Sequence, residues 1–188
     1  MARLEILKPF IRSWEGGFAN VPGDKGGATK WGVTIGTFQS IYGKNKTIQD
    51  LKNMTEEQWD CIFRKYFWDK WKADQIESQA IANLVVDWLW TSGAKYGVKL
   101  PQKVLQYTLG QTNVVIDGLV GPKTLAAINS YPNQEELFNK LHKEREDFFK
   151  RIGVGTQKKF LKGWLNRNNG IKINCLICNT AGNSIIYF

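Results

Sequence analysis

The sequence predicts a mainly α fold of the α+β kind, with a small β or irregular lobe near residues 16–37. Apolar residues recur at helical spacing through most of the first 170 positions. One stretch, residues 16–37, breaks that rhythm with Gly, Thr, Pro and Asn. Strand-like alternation appears only after Gly170.

Leu4, Leu7, Ile11 and Trp14 mark the first helix, and Gly16-Gly17 stops it. Glu15 lies eleven residues after Leu4, about three turns at 3.6 residues per turn, and so falls on nearly the same face. An acid on the apolar face at a helix C-terminus has its charged form opposed both by desolvation and by the negative end of the helix dipole. Residues 16–37 read as a loop or short β-hairpin, followed by a helix from about Thr34 or Thr37.

Thr55-Glu-Glu-Gln58 is a capping box that opens a helix with Trp59, Ile62, Phe63, Tyr66 and Phe67 on one side. Ser78 opens the next, whose stripe is Ile81, Leu84, Val85, Trp88 and Leu89. Asn83, Asp87 and Trp90 share the opposite face, which either lines a cleft or is solvated. Pro101 suits the first position of a helix containing Val104, Leu105 and Leu109. Asp117-Gly118 marks a turn, and Gly121-Pro122 starts a short helix with Leu125 and Ile128. A long polar helix at 134–152 turns Leu137, Phe138, Leu141, Phe148 and Phe149 inward, with Trp164 and Leu165 capping the core. Residues 1–169 form one domain on this reading, and 170–188 an extended tail.

Composition narrows the function classes. The chain has 188 residues, 43% of them apolar, which suits one domain with a real core. Its net charge of +9 favours polyanionic partners: nucleic acid, anionic lipid or an anionic cell wall. The basic residues are scattered in runs of two or three at most, and no nucleic-acid motif is present, so a general field is expected and no nucleic-acid partner. Three Cys, two of them in the Cys175–Cys178 pair, and the single His142 are too few for a disulfide framework or a structural zinc site, so no metal or cofactor is expected. The N-terminus lacks the apolar core of a signal peptide, and no run is long enough to span a bilayer. The expectation is a chain made in the cytoplasm, without stable membrane insertion, that reaches any outside substrate by export or release. Eight Trp supply flat apolar faces of the kind that pack in cores or stack on sugars, and Trp31 and Trp90 are the candidate sugar platforms.

The chemistry concentrates in the segment from Glu15 to Gly36. Glu15, Asp24 and Thr29 are its polar groups of interest, and a Gly-rich hairpin can gather all three at the end of the first helix. Gly17 and its neighbours let backbone approach a ligand closely. Glycosidic cleavage near neutral pH needs a carboxylic acid that stays protonated to protonate the leaving oxygen. A second carboxylate can stabilise the oxocarbenium-like state or activate water, and a Thr hydroxyl can orient that water.

This segment resembles the motif of glycoside hydrolase family 108: E-G-G-[FY], then D-x-G-G-x-T-x-x-G-[IV]-T. That family comprises phage- and prophage-type N-acetylmuramidases of the lysozyme superfamily, some labelled secretion activators. The resemblance implies a lysozyme-like helical fold, peptidoglycan as partner, and hydrolysis of the β-1,4 bond between N-acetylmuramic acid and N-acetylglucosamine. Glu15 matches the family's catalytic Glu, and Asp24 and Thr29 match its Asp and Thr. The Glu–Asp–Thr spacing is also similar to that of phage lysozymes, with one residue fewer between Asp24 and Thr29. Residues about 82–169 resemble the predicted peptidoglycan-binding segment that accompanies the family, through Leu105-Gln106 and Asp117-Gly-Leu-Val-Gly-Pro-Lys-Thr-Leu125. The match sets Asp87 at the acid of an F-D-x-x-V-N-x-G-like helix, but Thr91-Ser92-Gly93 stands where that pattern ends. A lytic transglycosylase and a non-catalytic wall-binding or secretion-linked protein are the alternative readings.

Overall fold

The computed structural model describes residues 1–20 and 27–173, so Asp24, Cys175, Cys178 and most of the expected tail lie outside the described residues. Those residues fall into two compact units: Glu5–Phe67, and Met1–Leu4 together with the chain from Trp68 onward. The architecture is mainly α with one small antiparallel sheet, a lysozyme-like fold.

The Glu5–Phe67 unit contains most of helix α1 (Leu4–Trp14), whose Leu7 and Ile11 are fully buried. Trp14, expected on that apolar stripe, is instead exposed and meets Phe10 edge-on. The helix ends one residue before Glu15. Three two-residue strands follow: β1 (Phe18–Ala19), β2 (Thr29–Lys30) and β3 (Val33–Thr34), in that order in the sheet. Thr34 caps helix α2 (Ile35–Tyr42) by accepting from the Thr37 N–H. A capping box of Thr47 and Asp50, not anticipated from sequence, opens the short α3 (Ile48–Lys52). The expected box of Thr55 and Gln58 opens α4 (Glu56–Phe63), which buries Trp59, Ile62 and Phe63. A π-helical turn, Arg64–Trp68, extends it.

In the other unit, Ser78 caps α5 (Gln79–Gly97). Residues 80–89 of α5 are buried without interruption, so the helix has no solvated face along that span. Gly93, at φ 68° and ψ 171°, breaks the helix, and the chain turns back so sharply that a Cβ on Gly97 would lie 2.4 Å from the Leu89 Cα. Only glycine fits that approach. Pro101 stands third in α6 (Lys99–Lys103) rather than first, still within the turn where its missing N–H costs no helical bond. A π-helical turn, Val104–Thr108, continues it. Pro122 begins α7 (Pro122–Asn129) as expected, and α8 (Gln134–Ile152) buries the five apolar residues foreseen. Helix α9 (Lys158–Gly170) lays Leu161, Trp164 and Leu165 on a cluster of Trp88, Phe148 and Phe149.

The Asp117 turn is scaffolding. Its carboxylate accepts from the Leu119 N–H at 2.8 Å and from the fully buried Gln102 amide at 3.0 Å, while Gln102 accepts from the Gly118 N–H and donates to the Leu119 carbonyl. Gly118 takes φ +84°, which glycine adopts without strain. The D-G-x-x-G-P pattern therefore fixes the entry to α7.

Candidate active site

Glu15 is the first residue beyond α1, half-buried, with its N–H donating to the Arg12 carbonyl at 3.3 Å. It thus stands off the last turn of the helix, one residue past the position expected. The two glycines after it are exposed, and among the described residues nothing lies within 4 Å of a Cβ built on either. Packing does not demand glycine there.

The sheet then carries Thr29 alongside the same segment. Ala19, four residues after Glu15, pairs with Thr29, and Phe18 pairs with Lys30. Thr29 is half-buried and also pairs with Thr34. The connection from Ala19 to Thr29 contains Asp24, which lies outside the described residues.

Strands β2 and β3 are joined by the two-residue loop Trp31-Gly32, with φ of 49° and 76°. Two positive φ values are what a type I′ hairpin needs, a conformation that usually selects Asn-Gly. A bulky residue in the left-handed region is strained, and such strain concentrates at functional sites. The Trp31 conformation is held by its neighbours. Its carbonyl accepts from the buried Trp59 indole N–H at 2.9 Å. The Arg12 guanidinium lies 3.8 Å from its ring centroid and the Lys30 ammonium 4.1 Å. Lys30 is itself tied to the carbonyls of Lys52 and Met54, and Arg12 to Glu56 at 3.0 Å. The indole expected as a sugar platform therefore already serves the chain's own cations. Arg12 links Trp31 to the backbone of Glu15. That role was not legible, because nothing local pairs Arg12 with a ring nineteen residues later.

Asp87, expected to bind substrate, lies in the interior. It is completely buried, and both carboxylate oxygens are taken. Arg167 donates to them through Nε and Nη2, the latter at 2.7 Å, and Arg145 donates through Nη2. Burial pushes this carboxyl upward, but the two guanidiniums outweigh it and hold Asp87 below the usual carboxylate range. No oxygen is left for a sugar. Thr91, where the family pattern departs, closes the same cluster: its hydroxyl bonds the Asp87 carbonyl at 2.9 Å and lies 3.2 Å from the Arg145 Nη2. Trp90, the other candidate on this helix, is half-buried at the edge of the buried span. Among the described residues no group of carboxylates, Cys or His could hold a metal ion.

The mainly α architecture with its small antiparallel sheet is of lysozyme-like type. Residues 9–93 match the family Glycosyl hydrolase 108, and residues 96–169 match the family described as a predicted peptidoglycan domain. The chain belongs to glycosyl hydrolase family 108. It is a peptidoglycan hydrolase at that level of description. Among solved structures it is similar to SagA of Brucella abortus, at 31% identity over 87% of this chain and 88% of that one, with a TM-score of 0.72. No curated protein sequence matches it. The two family spans meet just after the Gly93 break, whereas the compact units meet between Phe67 and Trp68. The family 108 span therefore includes the first part of α5, with Asp87.

Proposed function

We propose that the protein is an N-acetylmuramidase that hydrolyses the β-1,4 bond between N-acetylmuramic acid and N-acetylglucosamine. Glu15 is the general acid. It gives its proton to the leaving O4 as the C1–O4 bond breaks, and water adds at C1. The observation that carries this reading is the position of Glu15: half-buried just past the end of α1, followed by Gly16 and Gly17, around which no described residue crowds, and four residues before Ala19, which pairs with Thr29. A partly buried acid with an open approach is what protonation of a bulky leaving group requires. Thr29 orients the attacking water, and Asp24 supports the oxocarbenium-like state or activates that water. The latter role rests on the sequence spacing. Carboxyls about 5 Å apart would give retention, and a wider gap with room for water would give inversion. Gly17 admits the glycan chain. The enzyme reaches the wall by export or release.

The test is digestion of purified peptidoglycan by wild type and by Glu15→Gln, with released sugars identified by mass spectrometry. Reducing-end N-acetylmuramic acid from the wild type alone is expected. A 1,6-anhydro product would make the protein a lytic transglycosylase. Release by both proteins would remove Glu15 from the mechanism.

A further inference from the structure

The basic charge is not as evenly scattered as its short runs suggest. After Asp147 the sequence contains no acidic residue, yet it carries seven cationic ones: Lys150, Arg151, Lys158, Lys159, Lys162, Arg167 and Lys172. Most of the net charge of +9 therefore resides in the last 41 residues. Lys150 and Arg151 are paired with Glu146 and Glu144 on their own helix, and Arg167 with Asp87. Lys158, Lys159 and Lys162, all exposed on the first turns of α9, enter no ion pair among the described residues.

The same short stretch exposes three apolar side chains. Ile152 is 38% exposed, Val154 63% and Phe160 46%. Phe160 stacks on the half-buried Trp164 at 5.9 Å between ring centroids, with the Lys159 ammonium 5.0 Å from the Phe160 ring. Unpaired ammonium groups on long apolar stems beside exposed aliphatic and aromatic groups form an interfacial pattern: cations meet headgroups, and the apolar groups enter the acyl boundary. A polyanion in water would be served by the lysines alone and would leave Ile152, Val154 and Phe160 without a role. At thirteen residues, about 20 Å, α9 is too short to cross the roughly 30 Å hydrocarbon core. The contact is therefore peripheral.

We propose that the edge running from Ile152 to Lys162 docks on the surface of an anionic phospholipid bilayer. This assignment is independent of which residue catalyses. Docking of this kind places a wall-cleaving enzyme beside a membrane and weakens with salt, because exposed charges more than about 10 Å apart are screened at 0.1 M ionic strength.

The experiment is sedimentation of the full chain with two sets of vesicles. One is phosphatidylcholine alone; the other is phosphatidylcholine and phosphatidylglycerol in equal parts. Binding to the mixed vesicles only, lost on adding salt, is expected. Each lysine near an anionic surface is worth roughly fivefold in partitioning, so K158E/K159E/K162E should lower it on the order of a hundredfold. Phe160→Ser should weaken binding further than charge explains, with a residual effect at high salt. Both variants should keep the wild-type Tm. Single Lys158→Gln and Lys162→Gln variants, each expected to weaken binding severalfold, cover the case of a misfolded triple variant. Failure of the wild type to bind mixed vesicles would overturn the proposal, as would binding indifferent to the lysine changes. Full competition by soluble polyphosphate, with Phe160→Ser binding as wild type, would replace the bilayer with a soluble polyanion. Loss of binding on removing residues 174–188, with the triple variant still bound, would move the contact to the tail.

Discussion

The segment around Glu15 and the cluster around Asp87 use the same kinds of residue to opposite ends. At Glu15 the helix stops, two glycines follow that no described residue crowds, and three very short strands come next. Glu15 is half-buried, and the cation nearest in sequence, Arg12, meets Trp31 and Glu56. At Asp87 the carboxylate is enclosed by α5, α8 and α9 and saturated by two arginines. An acid that transfers a proton needs a route to substrate, whereas an acid that neutralises buried cations must have none. Burial separates the two residues: Glu15 is half-buried and Asp87 wholly buried.

The sharpest way to break this comparison is to neutralise each carboxyl in turn. Glu15→Gln should lower peptidoglycan turnover about 10²- to 10⁴-fold, the range a general acid contributes, and leave Tm unchanged. Asp87→Asn should do the converse. It strands Arg145 and Arg167 in the interior, where Arg145 Nε and Nη1 already find no hydrogen-bond partner among the described residues. Removing one partner of a buried ion pair costs about 3–5 kcal/mol, which urea unfolding would register, while the folded fraction should turn over normally at low temperature. A stable but inactive Asp87→Asn protein would return Asp87 to the active site.

Acid sharpens the same contrast. The folded Asp87 carboxyl titrates below its ordinary value of 3.8, so its stabilising contribution is complete above that value and is lost as pH falls through the folded one. Burial likewise holds His142 below its ordinary 6.5, although the Asn168 backbone opposes the shift. A His favoured as the neutral form stabilises the fold above 6.5, and that contribution declines as pH drops beneath it. The Tm of wild type should therefore sag below about pH 6.5 and fall steeply below about pH 4. His142→Gln should flatten the first part and Asp87→Asn the second. An acid profile unchanged by both would assign the loss to other carboxyls.

Two further aspartates divide along the same line. Asp24→Ala should reduce activity more than Asp117→Ala, because Asp117 is engaged with Gln102 and the Leu119 N–H in a turn. Asp117→Ala should lower Tm and leave the turnover of the folded enzyme intact. The reverse ranking in a digestion assay would move the active site to the wall-binding half.

What could be read in the sequence was local. Thr55 with Gln58, Ser78, Pro122 after Gly121, and the apolar rhythm from Leu137 to Phe149 all act within a turn or two, and each marks the element it predicts. The Glu15 segment was legible because its motif is contiguous. Asp87 was misread because its partners come 58 and 80 residues later, and no periodicity in α5 announces them. Trp14 kept the spacing of the buried stripe but lies at the end of α1, where the core no longer covers it. The hairpin turn was missed in type, since Trp-Gly is a poor local signal for two left-handed residues.

That turn yields the smallest effect and a fine test of what holds the Glu15 region. Trp31→Asn should relieve left-handed strain of about 1–2 kcal/mol. It should also forfeit two cation–π contacts, each about 0.5–1 kcal/mol where solvent reaches them. The terms nearly cancel, so Tm should move little, and the hairpin should keep its register because Asn-Gly suits the same turn. Arg12 loses its ring and retains Glu56. If the indole only clamps the hairpin, the KM for peptidoglycan fragments should stay near the wild-type value. A raised KM at unchanged Tm would mean that sugar does reach the ring despite Arg12 and Lys30. A large fall in Tm would show that the clamp is worth more than the strain it imposes, and that Trp31 fastens the turn between the strands bearing Thr29 and Thr34.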